Sequence, residues 1–131
     1  MFKFSGLRPA NLGVKDGKFT APASWKPNWV SSQVDSPDPH FIAPIKVSGD
    51  AKSVIARAAK LIESLSRARI IQQDGAYLYA EFSTALMGYV DDVEIFADGQ
   101  KLQVRSSSRL GVRDFDVNRK RVEAIRKALA K

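Results

Sequence analysis

Asp91–Lys131 reads DDVEIFADGQKLQVRSSSRLGVRDFDVNRKRVEAIRKALAK, and its two halves point to different secondary structures. In the first half, β-rich runs flank Asp98-Gly99, a strong hairpin signal. With that dipeptide as the two-residue loop, Ala97 lies opposite Gln100, Ile95 opposite Leu102 and Val93 opposite Val104, all on one side. Asp92 then faces Arg105, and Glu94 faces Gln103, on the other side. Residues alternate faces along a strand, so a slip of one would bury the charges. In the second half, from about Val117 to Ala130, Val122, Ile125 and Leu129 recur at helical spacing, with Asp116 placed to cap the start. Arg119, Lys120, Arg121, Arg126 and Lys127 fill the remaining circumference, and Glu123 and Lys127 stand at a favourable i,i+4 spacing. Such a helix docks on a sheet; a basic amphipathic helix can also meet phosphates or a membrane surface.

Working upstream, RIIQQ-DG-AYLYAEFST reads as a second hairpin turning at Asp74-Gly75, with Gln73 opposite Ala76 and Ile71 opposite Leu78. Before it, Val54, Ile55, Ala58, Leu61, Ile62 and Leu65 predict a helix over Ala51–Ser66 capped by Asp50. All six prolines fall between Pro9 and Pro44. Each removes a backbone donor and holds its predecessor extended. Residues 1–47 are therefore expected to form an extended Pro-rich arm wrapping the core, with Trp25, Trp29, Phe41 and Ile42 pinning it by buried area. A disordered arm is the alternative, and the two tryptophans argue against it. The predicted fold is a single α+β domain over residues 1–131, with an α-β-β-β-β-α core over 48–131. Two helices pack on one face of an antiparallel sheet of about four strands.

A chain of 131 residues with 44% hydrophobic side chains builds a core without metal or disulfide support. The absence of cysteine excludes disulfides, thiolate metal sites and cysteine nucleophiles. No apolar run approaches the roughly 20 residues that span a bilayer, and MFKFSGLRPANLGV lacks a continuous apolar leader core. The expectation is a soluble, cytoplasmic protein with no transmembrane segment. The net charge of +7 is segregated. Residues 71–100 hold six acids and no Lys or Arg, whereas residues 101–131 hold ten basic and three acidic groups. Neighbouring strands can therefore neutralise one another, although nucleic acid and anionic ligands remain open partners.

No motif fixes a reaction. His40 in DPHFI lies close to Asp38, but nothing resembling G-x-S-x-G accompanies Ser31 or Ser32, and His40 reads as a polar anchor for the arm. Asp92 and Glu94 are the better pair for an oxygen-liganded cation, yet strand alternation sends Asp91 to the other face and no Ca²⁺-loop spacing is present. No phosphate-binding glycine loop appears, so neither metal nor cofactor is expected. The stronger candidate is an arginine cluster. Arg105, Ser106, Ser108 and Arg109 end a strand, Arg113 and Asp114 lie in the following loop, and Asn118 and Arg119 open the last helix. Guanidinium forks suit carboxylate or phosphate geometry, and a helix N-terminus adds backbone donors. The cluster can serve a small anion, an acidic protein partner or a lipid headgroup. Alternatively Asp91, Asp92, Glu94, Asp114 and Asp116 neutralise it as an internal scaffold.

RPANLGVKDGKF, PNWVSSQ, DDVEI and VRSSSRLGVRDFDVNRKRVEAIRKAL together resemble the bacterial and plastid family called domain of unknown function 1499, from Arg8 to Leu129. The resemblance implies no established activity. Relatives of that pattern carry two cysteines near the N-terminus where this chain has Ala23 and Trp29, so a thiol-dependent function is not expected here. The leading expectation is a non-enzymatic binding or accessory module. The alternatives are an enzyme using Asp92 or His40 as acid or base, and nucleic-acid binding through the basic C-terminal helix.

Overall fold

The computed structural model describes residues 8–20, 28–83, 89–110 and 116–130. In chain order the elements are β1 (Val14–Lys15), β2 (Lys18–Phe19), β3 (Trp29–Ser31), β4 (Ile45–Lys46), α1 (Ala51–Glu63), β5 (Ala68–Asp74), β6 (Tyr77–Ser83), β7 (Val90–Asp98), β8 (Lys101–Ser108) and α2 (Val117–Leu129). The fold is α+β, but the main sheet has six strands rather than four, ordered β3-β8-β7-β6-β5, with β4 also pairing β8. All its strand pairings are antiparallel. The two extra strands come from the arm, and each is too short to show a period. They share the outer edge of β8, β3 against residues 105–107 and β4 against 101–102. Between them Ser32 serves both main-chain groups of Val104, its N–H donating to the carbonyl at 2.9 Å and its Oγ accepting from the amide at 2.8 Å.

Both hairpins sit two residues out of the expected register. Asp98 pairs Lys101, Ile95 pairs Val104, and Glu94, not Asp92, lies opposite Arg105. Likewise Asp74 pairs Tyr77 and Gln73 pairs Leu78. In each case the glycine is the first central residue of the loop, with φ +50 at Gly75 and +62 at Gly99, and no positive φ follows it. That is the sign pattern of a type II′ loop. The aspartate therefore ends the strand instead of entering the turn. A shift of two preserves the faces, so the division of these residues between the two sides of the sheet stands. The one Asp-Gly that fills both central positions is Asp16-Gly17 in the arm, at φ +55 and +75, where it joins β1 to β2.

α1 and α2 pack on one face of the sheet, over Leu78, Ala80, Val93, Ile95, Leu102 and Val104, and contribute Val54, Ile55, Ile62, Val122 and Ile125. Each such large side chain stabilises by about 1.5–3 kcal/mol on burial. Asp50 caps α1 by accepting from the Ser53 amide at 2.9 Å, and those hydrogen bonds hold its carboxyl below the usual range. The helix ends at Glu63 rather than Ser66, because the Ser64 amide already turns back to the last carbonyls. Asp116 occupies the start of α2 as expected but makes no side-chain cap there. Its left-handed φ of +65 turns it away from the extended cap geometry. Of the arm anchors, Trp29 and Ile42 are buried and Phe41 is half-buried, while Trp25 lies outside the described residues. No described helix is long and apolar enough to cross a membrane.

Candidate functional site

Strand alternation divides the expected arginine cluster between two faces. Val93, Ile95, Val104 and Ser106 point to the helices, so Asp92, Glu94, Arg105 and Arg109 point to the opposite face. That face is polar, yet it is buried: Asp92 is 2% exposed, Glu94 1% and Arg105 4%. Residues 8–20 of the arm supply much of its cover. Arg105 grips Oε1 of Glu94 through Nε, at 2.9 Å, and through Nη2, and it also donates to the carbonyls of Thr20 and Asn11. The other oxygen of Glu94 accepts from the Gly13 amide at 2.6 Å and from the Tyr77 hydroxyl at 2.7 Å. Gly13 reaches it with φ +105, a conformation that suits glycine. Phe19 completes the cover, edge-on to Phe96 at 5.1 Å and beneath the Arg105 guanidinium at 5.0 Å.

Two residues along the same strands the arrangement repeats with different acids. Tyr79 donates to Asp92 at 2.5 Å, as Tyr77 does to Glu94. Arg109 holds both oxygens of Asp92 at 2.9 Å and reaches Glu81 at 2.6 Å. Glu81 in turn accepts from Arg8 at 2.7 Å and from Arg69 at 3.2 Å. One carboxylate thus serves three guanidiniums. Burial alone would raise the Glu81 carboxyl, but the hydrogen bonds and charges of Arg8 and Arg109 prevail and bring it down to about 2. The Arg109 guanidinium is held more firmly protonated, chiefly by its bonds to Asp92. Burial, reinforced by the carboxylate each hydroxyl donates to, pushes both tyrosines well above the usual phenol range. They therefore stay neutral donors at any ordinary pH.

The rest of the expected cluster lies on the helix side. Asn118, fully buried, accepts from Ser106 Oγ at 2.6 Å and from Arg121 at 2.8 Å, and donates to the Asn28 carbonyl and to Ser108 Oγ. Arg121 continues to Asp91 at 2.7 Å. Arg119 belongs to neither group; it donates to the carbonyls of Phe41 and Pro39, both at 2.8 Å. Arg126 similarly holds the carbonyls of Pro44 and Ala43 at 2.7 Å. Two of the five basic residues around α2 are thus committed to the arm. Asp114 and Arg113 lie outside the described residues.

His40 stacks on Trp29, with centroids 3.7 Å apart and planes 7° from parallel, and its Nδ1 meets Asp38 Oδ1 at 2.7 Å. The Asp38 carboxyl is lowered by hydrogen bonds from the His40 backbone and then its ring. Ser32 Oγ donates to Gln103 at 2.7 Å, and Ser31 Oγ accepts from the Gln33 amide.

Sequence reasoning missed Tyr77, Tyr79, Glu81 and Arg8. A signal for three of them exists in Y-L-Y-A-E, whose alternation places all three on the face of Asp92 and Glu94. Beside them, Arg8, Leu12, Gly13 and Val14 of the arm and Ile71, Gln72 and Asp74 of β5 enclose a cleft of about 460 Å³ floored by Tyr77 and Tyr79. Arg8, half exposed, lies 5.9 Å above the Tyr79 ring. Among the described residues every buried polar side-chain atom has a partner, and no group of three His, Asp or Glu is placed to hold a metal ion. The layer beneath the arm is electrostatically closed; the cleft is where side chains meet solvent.

No curated protein and no solved structure gave a significant match to the chain. One family did, over a span that begins after most of the arm's cover rather than at Arg8. The polar layer from Tyr77 to Arg109 falls within the match, whereas the arm wall of the cleft precedes it. The chain belongs to the family described as protein of unknown function DUF1499, whose model matches residues 20–129.

Proposed function

We propose that this protein is a non-enzymatic binding module that takes a small anionic ligand in the cleft between the arm and β5–β6, with Arg8 as its principal cation. The observation that carries this reading is the sharing of Glu81. Arg8, Arg69 and Arg109 all bond the one Glu81 carboxylate, and Arg8 and Arg69 are the two of them that reach solvent. A guanidinium at a cleft rim offers a carboxylate or phosphate a forked, charge-assisted contact. The tyrosine rings with Leu12 and Ile71 would receive an apolar or aromatic body, since the tyrosine hydroxyls are already spent on Asp92 and Glu94. In this reading Arg105, Ser106, Ser108, Asn118 and Arg119 are framework, with Asp91, Asp92 and Glu94 as their counter-charges.

The enzymatic alternative assigns proton transfer to Asp92 or His40. Both oxygens of Asp92 accept from Tyr79 and Arg109 within the buried layer, and the His40 ring lies flat on Trp29 with Nδ1 on Asp38, so neither is presented to the cleft. Melts of wild type and Arg8→Ala at fixed ionic strength, with phosphate, aliphatic and aromatic carboxylates, short nucleic acids and acidic-lipid vesicles, test the proposal. A ligand at about a hundred times its Kd should raise the wild-type Tm by about 10 °C, and Arg8→Ala should lose most of that gain. An unmoved wild type, or an equal gain in the variant, would overturn it. A response to nucleic acid alone, falling steeply with salt, would favour the phosphate-tracking alternative.

A further inference from the structure

β5 is an outer strand of the main sheet: β6 pairs one side of it, and among the described residues no strand pairs the other. Its residues are half-buried or exposed throughout. Natural edges are commonly guarded by lysine, proline or a covering segment. β5, ARIIQQD, has neither lysine nor proline, and its charges are Arg69 near one end and Asp74 at the other.

The hairpin register shows which main-chain groups face outward. A two-residue loop makes Asp74 and Tyr77 a hydrogen-bonded pair, and the Ser83 amide donates to the Arg67 carbonyl at 2.9 Å. Arg67, Arg69, Gln72 and Asp74 therefore turn their main-chain groups toward β6, while Ala68, Ile70 and Gln73 turn theirs outward. The parity changes at a bulge between Ile70 and Gln72. That bulge also places Arg69, Gln72 and Asp74 on one face, as the partners of Glu81, Tyr79 and Tyr77.

We propose that β5 pairs with β5 of a second copy, antiparallel about a twofold axis passing between Ile71 and Gln72. In this register Ile70 lies opposite the partner's Gln73, and the outward main-chain groups of both meet. Arg69 lies opposite the partner's Asp74 on the same face, and the twofold repeats both pairs. The charge pattern of the strand is thus complementary to itself. The bulge falls beside the axis, so both strands carry the same three-residue spacing from Ile70 to Gln73 and Ile71 of each lies opposite Gln72 of the other, a match that a regular strand would not offer. Arg69 is free to swing outward, since its side chain is 74% exposed and its one bond to Glu81 is 3.2 Å long. The pairing shares Ile71, Gln72 and Asp74 with the wall of the cleft, but Arg8 takes no part in it.

Analytical ultracentrifugation of the full chain from micromolar to near-millimolar concentration tests it, with Arg69→Asp, Asp74→Arg and the double variant, each confirmed folded by circular dichroism. Wild type should dimerise reversibly. Either single change sets like charges across the axis and should weaken the dimer about tenfold, and the double variant should recover it. A monomeric wild type throughout the range, a dimer indifferent to the single changes, or a double variant no tighter than the singles would overturn the proposal.

Discussion

Replacing Arg105 with methionine removes one charge from a pair that water scarcely reaches. Glu94 is 1% exposed, and after the change it would keep only the Gly13 amide and the Tyr77 hydroxyl on one oxygen, with nothing on the other. Leaving such a charge buried costs about 3–5 kcal/mol. Against a total stability on the order of 5–15 kcal/mol that is a large fraction, and it corresponds to a fall in Tm of about 10–20 °C for a chain of this size. The arm should also loosen, because Arg105 holds the Asn11 and Thr20 carbonyls. The double variant Arg105→Met with Glu94→Leu removes both charges. It should regain part of the loss, though not all, since the Tyr77 hydroxyl is then without its acceptor at about 1–3 kcal/mol. Urea titrations followed by circular dichroism measure Arg105→Met, Glu94→Leu and the double variant, and limited proteolysis reports the arm. A loss below about 1 kcal/mol for Arg105→Met, or a double variant less stable than the single by the full cost of Glu94→Leu alone, would refute the reasoning.

Four further outcomes are expected. Glu81 is depressed from its ordinary 4.5 to about 2, so its contribution is complete above about pH 4.5 and is lost as pH falls toward 2. Glu81→Gln should therefore narrow the difference between stability at pH 6 and pH 3 by about 1 kcal/mol, less than the roughly 2 kcal/mol the shift alone implies over that window, because Arg8 and Arg69 stand in solvent. Asn118→Ala should cost about 1–3 kcal/mol in urea titrations, because Ser106 Oγ loses its acceptor, while Arg121 and the Asn28 carbonyl each lose one bond and keep Asp91 and the Ser108 amide. His40→Ala should uncover Trp29 and red-shift part of the tryptophan emission while changing stability by about 1–2 kcal/mol. Finally, the cysteine-free chain permits a register test: Ala97→Cys with Leu102→Cys, direct partners, should oxidise to a disulfide, whereas Ala97→Cys with Gln100→Cys should not.

The helices were legible because their signals are local: the Asp50 cap and the 3.6-residue stripes of Val54–Ile62 and Val122–Leu129 needed no knowledge of the sheet. The faces of β7 and β8 were legible because period-two alternation survives a register error of two. The register itself was not, since Asp-Gly serves two loop types and only the strain-free placement of glycine φ separates them. β3 and β4 were missed for lack of length; edge pairing with β8, not their own pattern, makes them strands. The arginine cluster divides for a different reason. Closeness in sequence gathered Arg105, Ser106, Ser108 and Arg109, whereas alternation puts the arginines beneath the arm and the serines beneath α2. Arg8 carried no readable signal, because its partner Glu81 lies 73 residues away.

Anion binding at Arg8, at the solvent-facing end of this polar layer, is the property that most needs a direct measurement. A two-dimensional amide NMR titration with the anion that most raises the melting temperature tests it most directly. Saturable shifts are expected at Gly13, Gln72, Asp74 and Tyr77, abolished in Arg8→Ala. Shifts confined to the outer residues of α2, or none at all at saturating anion, would contradict it.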